Sequence, residues 1–412
     1  MNPSPLIALL LLCPPLLAQE DVVRAQEPST AAEWNERGVS LLEQGDAISA
    51  VAALQRAREL APADAVVAVN LARAFGHLGS RHLDLGRLPE ALAAFRSGTG
   101  VDRDGGHNEV LAAQVQLRQG ARLAARETVD RVRTDFPENS AAARLAADLR
   151  AVAGELDEAV EILRQALALT PDDASLVRRS RQLEEEREAM RGFLTDASAH
   201  FDFRYDPRRP ALVEAVPDLM ADLEDAYHRV ARDFGLAPAD RILVLVLDRE
   251  RYVADAPEWS AGLYDGRVRL SVGDYRADAV KLRATMRHEF VHAALHRLGP
   301  PLPTWFQEGM AQLVEDRPVL RARQRLNSSG APSLAELGGD WTAWKQRQRV
   351  AGAYDYSLSL CRFLAEEYGT TAYPLLFEKL RQSGFEHAFR QTFGKLLADV
   401  DAEHRRALAA EG

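Results

Sequence analysis

The stretch WNERGVSLLEQGDAISAVAALQRARELAPADA (Trp34–Ala65) decides how the first half of the chain folds. Two segments of helical periodicity flank Gly45, and Pro62 closes the second. Glycine at the turn takes a backbone conformation closed to other residues, alanines let two helices approach closely, and proline cannot continue the second helix. The unit therefore reads as a helical hairpin. The same punctuation returns downstream: Gly86, Gly120 and Gly154 recur at one constant interval, Ala91, Ala125 and Ala159 repeat it, and Pro137 and Pro171 keep it. One hairpin cannot bury its own apolar face, so a fixed period predicts stacked units that share a core and leave a concave groove. The interval from Gly45 to Gly86 is longer than the others, which places an extra helical turn or two around His77 to Leu83 in the second unit.

The positions of Trp34, Gly38, Gly45, Ala50, Ala57 and Pro62 resemble a tetratricopeptide repeat. Four units fill residues 31–173, and the charged segment SLVRRSRQLEEEREAMR (Ser175–Arg191) is expected to cap them as a linker helix over 174–195. Grooves of that family usually hold peptides or protein segments, so the resemblance implies a protein partner in the groove. A spacer or dimerisation element without a ligand is the alternative.

Composition narrows the remaining choices. The chain is 47% hydrophobic and 27% charged, which suits folded rather than disordered material, and 412 residues predict two or three domains. A net charge of -10 argues against a general nucleic-acid binder, which needs a basic face to displace counterions from phosphates. Residues 1–19 carry no charged side chain, and the apolar run Leu6–Leu12 is too short to cross a bilayer. Residues 1–25 therefore read as a secretory signal peptide, cleaved after Ala18 or Ala25, although the usual Lys or Arg near the start is missing. The expectation is an exported chain, periplasmic or extracellular, without a transmembrane span once mature. Cys13 raises lipoprotein anchoring as a weaker alternative, because the LLLC context lacks a small residue before the cysteine. Without the signal, Cys361 is the one cysteine left; it excludes an internal disulfide and, within LSLCRFL, reads as a core residue.

The second half mixes strands and helices. HFDFRYD (His200–Asp206) alternates like a strand, Pro210–Phe234 is helical and closed by Gly235, and ILVLVL (Ile242–Leu247) reads as a buried strand. In GLYDGRVRLSV (Gly262–Val272), Asp265-Gly266 signals a hairpin turn, followed by Val268, Leu270 and Val272 on one face and Arg267, Arg269 and Ser271 on the other.

The sharpest chemical signal is RATMRHEFVHAALHRLG (Arg283–Gly299), in which His288, Glu289 and His292 form HExxH in a helical segment. Residues four apart stand one above the other on a helix, so two imidazoles can close on one metal ion while Glu289 faces the same cleft. His296 lies two steps beyond His288, about 12 Å along the axis, and cannot join both others on one ion through bonds of about 2 Å. Leu295 and Leu298 stand where a metzincin needs glycine and histidine, which excludes that class. Glu308, in PLPTWFQEGMAQLVED (Pro301–Asp316), follows His292 by enough chain for the first helix to end, turn, and let a second helix return a carboxylate across the pair.

Together, HExxH and the W-x-x-E-G segment at Trp305 to Gly309 resemble the gluzincin zinc metallopeptidases of the peptidase MA-like type, across about Ala199 to Arg406. The resemblance implies His288, His292 and Glu308 as ligands of Zn2+, Glu289 as general base, Trp305 and Gly309 as structural parts, and the segment beginning at Gly262 as a substrate-aligning edge strand. It also places Tyr354, in AYDYSLSLCRFLAEEYG (Ala353–Gly369), over the site as a stabiliser of the developing oxyanion, with Tyr356 as the alternative. Spacing singles out neither Asp355 nor His387. The expected architecture is an α-helical tetratricopeptide solenoid followed by an α+β gluzincin-like metallopeptidase domain over 196–412. The expected function is zinc-dependent hydrolysis of a peptide or protein substrate by an activated water, with the repeats recruiting the substrate or a partner. The alternative is a protein-binding scaffold whose peptidase-like half is inactive.

Overall fold

A computed structural model describes residues 28–248, 262–264, 267–272, 275–299, 301–339, 341 and 344–411. The signal-peptide and lipoprotein readings and the Asp265-Gly266 turn lie outside the described residues.

The first half is a series of antiparallel helix pairs: α1 (Ala31–Glu43) with α2 (Ala47–Leu60), α3 (Ala65–Asp84) with α4 (Leu88–Val101), α5 (His107–Arg118) with α6 (Arg122–Asp135), and α7 (Ser140–Val152) with α8 (Leu156–Leu169). Polar side chains start several of them. Thr30 forms a capping box with Glu33, and the Asp64 carboxylate accepts the otherwise orphaned N–H groups of Val66 and Val67. The turns within the pairs pass through Gly45, Gly86, Gly120 and Gly154, all at positive φ between 67° and 82°. The extra residues of the second unit lengthen α3 to 20 residues, against 14 in its partner α4.

α9 (Ala174–Ala189) follows the last pair, burying Leu176 and Leu183 against the array. Most of its charged residues are exposed, but two tie it to its surroundings: Arg179 Nε donates to Asp148 at 2.6 Å, and Glu186 pairs with Arg267 of the following half.

That half is built on a sheet in the order β1-β2-β3-β5-β4, comprising β1 (Leu194–Ala197), β2 (Phe201–Tyr205), β3 (Ile242–Leu247), β4 (Gly262–Tyr264) and β5 (Val268–Ser271). β3 runs parallel to β2 and β5, while β1 and β4 are antiparallel additions at the two ends. β1 begins within the segment read as linker. Its sequence, LTDA, has no apolar alternation and its residues are exposed, so pairing with β2 rather than burial makes it a strand. β3 is buried along its whole length, which explains why ILVLVL does not alternate. Val244 and Val246 join the main core, while Leu243, Leu245 and Leu247 pack toward Met190 and Phe193 at the end of the array.

Helices cover the first face of the sheet. α10 (Pro210–Phe234) and α11 (Tyr275–Leu298) lie against it, followed by α12 (Thr304–Val314), α13 (Val319–Ser329), α14 (Leu334–Leu337), α15 (Arg347–Tyr368), α16 (Ala372–Leu380), α17 (Phe385–Phe393) and α18 (Leu397–Glu411). One continuous core, rich in aromatic rings, runs from the sheet to α18. No described helix is long and apolar enough to cross a membrane.

The array is fixed to this half by its turns. The Gly384 N–H donates to the Gly86 carbonyl at 2.9 Å. Gly120 lies over the last carbonyls of α11, where an added Cβ would come within 3.0 Å of the Arg297 oxygen. Gly154 abuts Leu243 and Arg204, whereas the Gly45 turn has nothing within 4 Å of such a Cβ. Three successive turns thus rest on the second half, and the third unit touches the end of the HExxH helix itself.

Candidate metal centre

α11 carries His288, Glu289 and His292, and its remaining faces explain why it sits where it does. Met286, Phe290, Val291, Ala293 and Ala294 are buried in the core, which leaves the two histidines on the side facing α12. α12 is drawn close by Trp305 and Phe306, whose rings meet edge to face and both contact Phe385. Gly309 permits the approach of α15, because a Cβ there would run into the Ser357 carbonyl and the Cys361 sulfur. Gln312 then ties the helices, donating to the Tyr354 carbonyl at 2.9 Å. Trp305 and Gly309 act here through packing, and they set Glu308 over the histidine pair.

The three candidate ligands converge. His288 Nε2 and His292 Nε2 are 3.1 Å apart, His288 Nε2 lies 3.4 Å from Glu308 Oε2, and His292 Nε2 lies 3.6 Å from Glu308 Oε1. In four-coordinate zinc, bonds of about 2.0–2.1 Å put ligand atoms about 3.3–3.4 Å apart. The three separations lie near that spacing, with each imidazole facing its own oxygen of the Glu308 carboxylate. Glu308 Oε2 is buried without a hydrogen-bond partner, an arrangement that costs free energy unless a cation or donor meets the oxygen.

The charges point the same way. Glu289, Glu308 and Glu315 gather three carboxylates around two imidazoles, and Glu289 and Glu308 are buried. Burial alone would lower the His288 pKa, but the Glu308 and Glu315 carboxylates beside the ring overcome it and raise it to about 10. Glu308 is likewise penalised by burial, yet His292 and His288 hold its pKa well below the usual carboxylate range. Glu289 is raised, first by burial. A pocket with this balance favours positive charge, and two neutral imidazoles with a carboxylate oxygen are a donor set suited to zinc. The residues present therefore fit a divalent ion.

Glu315 is a site member that the spacing of HExxH did not reveal. It lies just beyond α12 and bonds His288 Nδ1, leaving Nε2 directed at the cluster, while Arg317 Nε donates to its other oxygen at 2.5 Å. The available signal was its place two helical turns beyond Glu308 along the same face.

Other candidates separate clearly. Tyr354 is half-buried, edge-on to Trp341 at 4.9 Å between ring centroids, and its pKa is raised by burial and then by Glu308. Tyr356 is fully buried and gives its hydroxyl to Asp401 of α18. Asp355 is held by Arg325, and His387 bonds Gln391 at the exposed surface. His296 lies toward the array, and its pKa falls to about 4 through burial and then the nearby Arg122 and Arg297. Cys361 is buried and burial pushes its thiol pKa up, as befits a core residue. β4, which begins at Gly262, stands at the end of the sheet beside α11.

The tetratricopeptide repeat family matches residues 110–174, which run from α5 to the first residue of α9. No curated protein matches the chain. The first half therefore contains helical repeats of the tetratricopeptide kind, a module suited to protein–protein interaction.

Proposed function

We propose that the chain is a zinc-dependent peptidase of gluzincin type whose repeats recruit a protein substrate or partner. The observation that carries this reading is the convergence of His288, His292 and Glu308 beside the buried carboxylate of Glu289. Bound by those three residues, zinc would supply Lewis acidity, polarising a carbonyl and bringing the pKa of water to about 7.

The remaining work falls to the chain itself. Glu315 holds His288 in one orientation through Nδ1. Glu289, its pKa raised mainly by burial, is the group positioned to take the proton of the attacking water and return it to the leaving amine. Tyr354 keeps its hydroxyl proton, because burial and the Glu308 charge oppose its loss, and so can donate to the oxygen of the scissile carbonyl. β4 offers a short strand to which an extended peptide could add by backbone hydrogen bonds. In the first half, the groove of the stacked hairpins supplies the recruiting surface. An exported location belongs to this proposal as well, resting on the uncharged apolar start of the chain.

A second reading has an observation in its favour. The repeat match at residues 110–174 supports a protein-binding scaffold and carries nothing about hydrolysis. Under that reading the second half is an inactive peptidase-like domain. Zinc content and cleavage of an unstructured protein such as casein separate the two. The proposed enzyme cleaves when zinc-loaded, and Glu308→Ala holds one zinc fewer and loses cleavage. A chain that never cleaves, or a Glu308→Ala variant that keeps both its zinc and its activity, contradicts the peptidase reading.

A further inference from the structure

A second cluster of metal-donor side chains lies on the other side of α11. Glu224 and His228 stand one turn apart on α10, and His200 projects from the tip of the β1–β2 hairpin. One donor atom from each falls within 4.8 Å of the others. We propose that His200, Glu224 and His228 form a second binding site for a divalent transition-metal ion, with zinc as its occupant. This inference does not depend on the peptidase reading.

The site is held in shape by contacts of its own. Glu224 Oε1 accepts from the Ser198 hydroxyl at 2.5 Å and from the His200 N–H at 2.9 Å, while Oε2 accepts from His200 Nδ1 at 2.6 Å. The His200 carbonyl accepts from the Ile242 N–H at 3.0 Å, so the backbone is fixed on both sides of the ring. The ring itself lies flat on Tyr227, with centroids 3.6 Å apart and planes 15° from parallel. His228 stands nearly perpendicular to His200 at 5.6 Å between centroids. The ion would displace the proton shared by His200 Nδ1 and Glu224 Oε2, releasing it to solvent, and a liganding residue whose backbone and ring plane are already set loses little freedom when a metal binds.

The donor chemistry selects the ligand. Two imidazoles and one carboxylate oxygen favour zinc and its neighbours over calcium or magnesium, which prefer oxygen throughout. Exposure of His228 and partial exposure of His200 and Glu224 give an ion an entry path and room for water at the remaining positions. The cluster is separate from the HExxH pair: Tyr227 lies between His200 and Phe290, which points from the opposite face of α11 to His288. A His200–Glu224 hydrogen bond alone would need no second imidazole, and His228 is what distinguishes a metal site from a simple clip.

Equilibrium dialysis of the full chain against micromolar free zinc, followed by metal analysis, tests the site. The unaltered chain is expected to hold two zinc ions. His288→Ala/His292→Ala, which removes the HExxH ligands, should still hold one, and its melting temperature should still rise with zinc. Adding His228→Ala, at an exposed position that leaves the core intact, should weaken that remaining zinc by at least about 10-fold and abolish the rise. The proposal is overturned if the double variant binds no zinc, or if His228→Ala leaves both its zinc content and its thermal shift unchanged. Failure of the peptidase reading looks different, since it concerns cleavage and the zinc removed by Glu308→Ala.

Discussion

The two halves of the chain bury their residues in different ways. In the array, small clusters of Ala, Val and Leu sit between neighbouring helices, as with Ala146, Ala147 and Leu163. Each helix pair leans mainly on the next. The second half has one large core from Phe201 to Leu408 besides the β3 leucines that face the array, with tilted and edge-on aromatic rings and, at its margin, three carboxylates and two imidazoles. Stability in the array is thus close to a sum of neighbour terms, whereas the second half gains or loses it as a unit. A buried cluster of charges needs surroundings that cannot relax locally, and a continuous core supplies them.

The largest expected effect lies in that charged margin. Glu289→Gln removes the proposed base without removing a metal donor, and is expected to lower peptide cleavage about 10²- to 10⁴-fold with zinc content unchanged, as read by steady-state kinetics and metal analysis.

Packing variants sharpen the contrast between the halves. Phe389 is fully buried between Phe385 and Phe393, and Phe389→Ala should cost about 3–5 kcal/mol and lower the denaturation midpoint of the whole second half. Leu54 is equally buried, beside Gly38, yet Leu54→Ala should cost about 2–3 kcal/mol and speed hydrogen exchange only in α1 to α4. Faster exchange throughout both halves in Leu54→Ala would break the distinction.

Acid should also act on the second half. His404 is buried beside Ser359, and burial, with Arg323 nearby, lowers its pKa to about 4 from the ordinary 6.5. The unfolded chain then binds the proton that the folded chain refuses between those values. Stability is therefore complete above about pH 6.5 and falls as pH drops toward about 4, by about 3 kcal/mol in total. Urea unfolding at pH 7 and pH 5 should show about 2 kcal/mol of this loss, and His404→Gln should flatten the slope.

Smaller effects follow. Glu315→Gln keeps a partner for His288 but weakens it, and zinc affinity should fall about 10- to 100-fold by competition with a chelator. On the array surface, Glu161 and Arg164 form an exposed pair, and Glu161→Gln should leave the melting curve unchanged.

Much of this organisation was legible in the sequence because it is local. Glycines at a constant interval, as at Gly86, Gly120 and Gly154, mark hairpin turns whatever surrounds them, and His288 and His292 share a helix face through their spacing alone. Less legible was whatever depends on distant partners. LTDA becomes β1 only through its register with β2, and the second role of the turn glycines, as seats for Gly384, Arg297 and Leu243, has no local signature. Glu315 required knowing where α12 ends. His200 and Glu224 stand far apart in the chain, and the hairpin that unites them is a tertiary event.

The proposed grip of His288, His292 and Glu308 on one metal ion is open to a direct measurement. A crystal of the zinc-loaded chain, measured at the zinc absorption edge, tests it most directly. An anomalous peak is expected about 2.0–2.2 Å from both Nε2 atoms and from a Glu308 oxygen. A fully loaded crystal with no peak between those three side chains would contradict it.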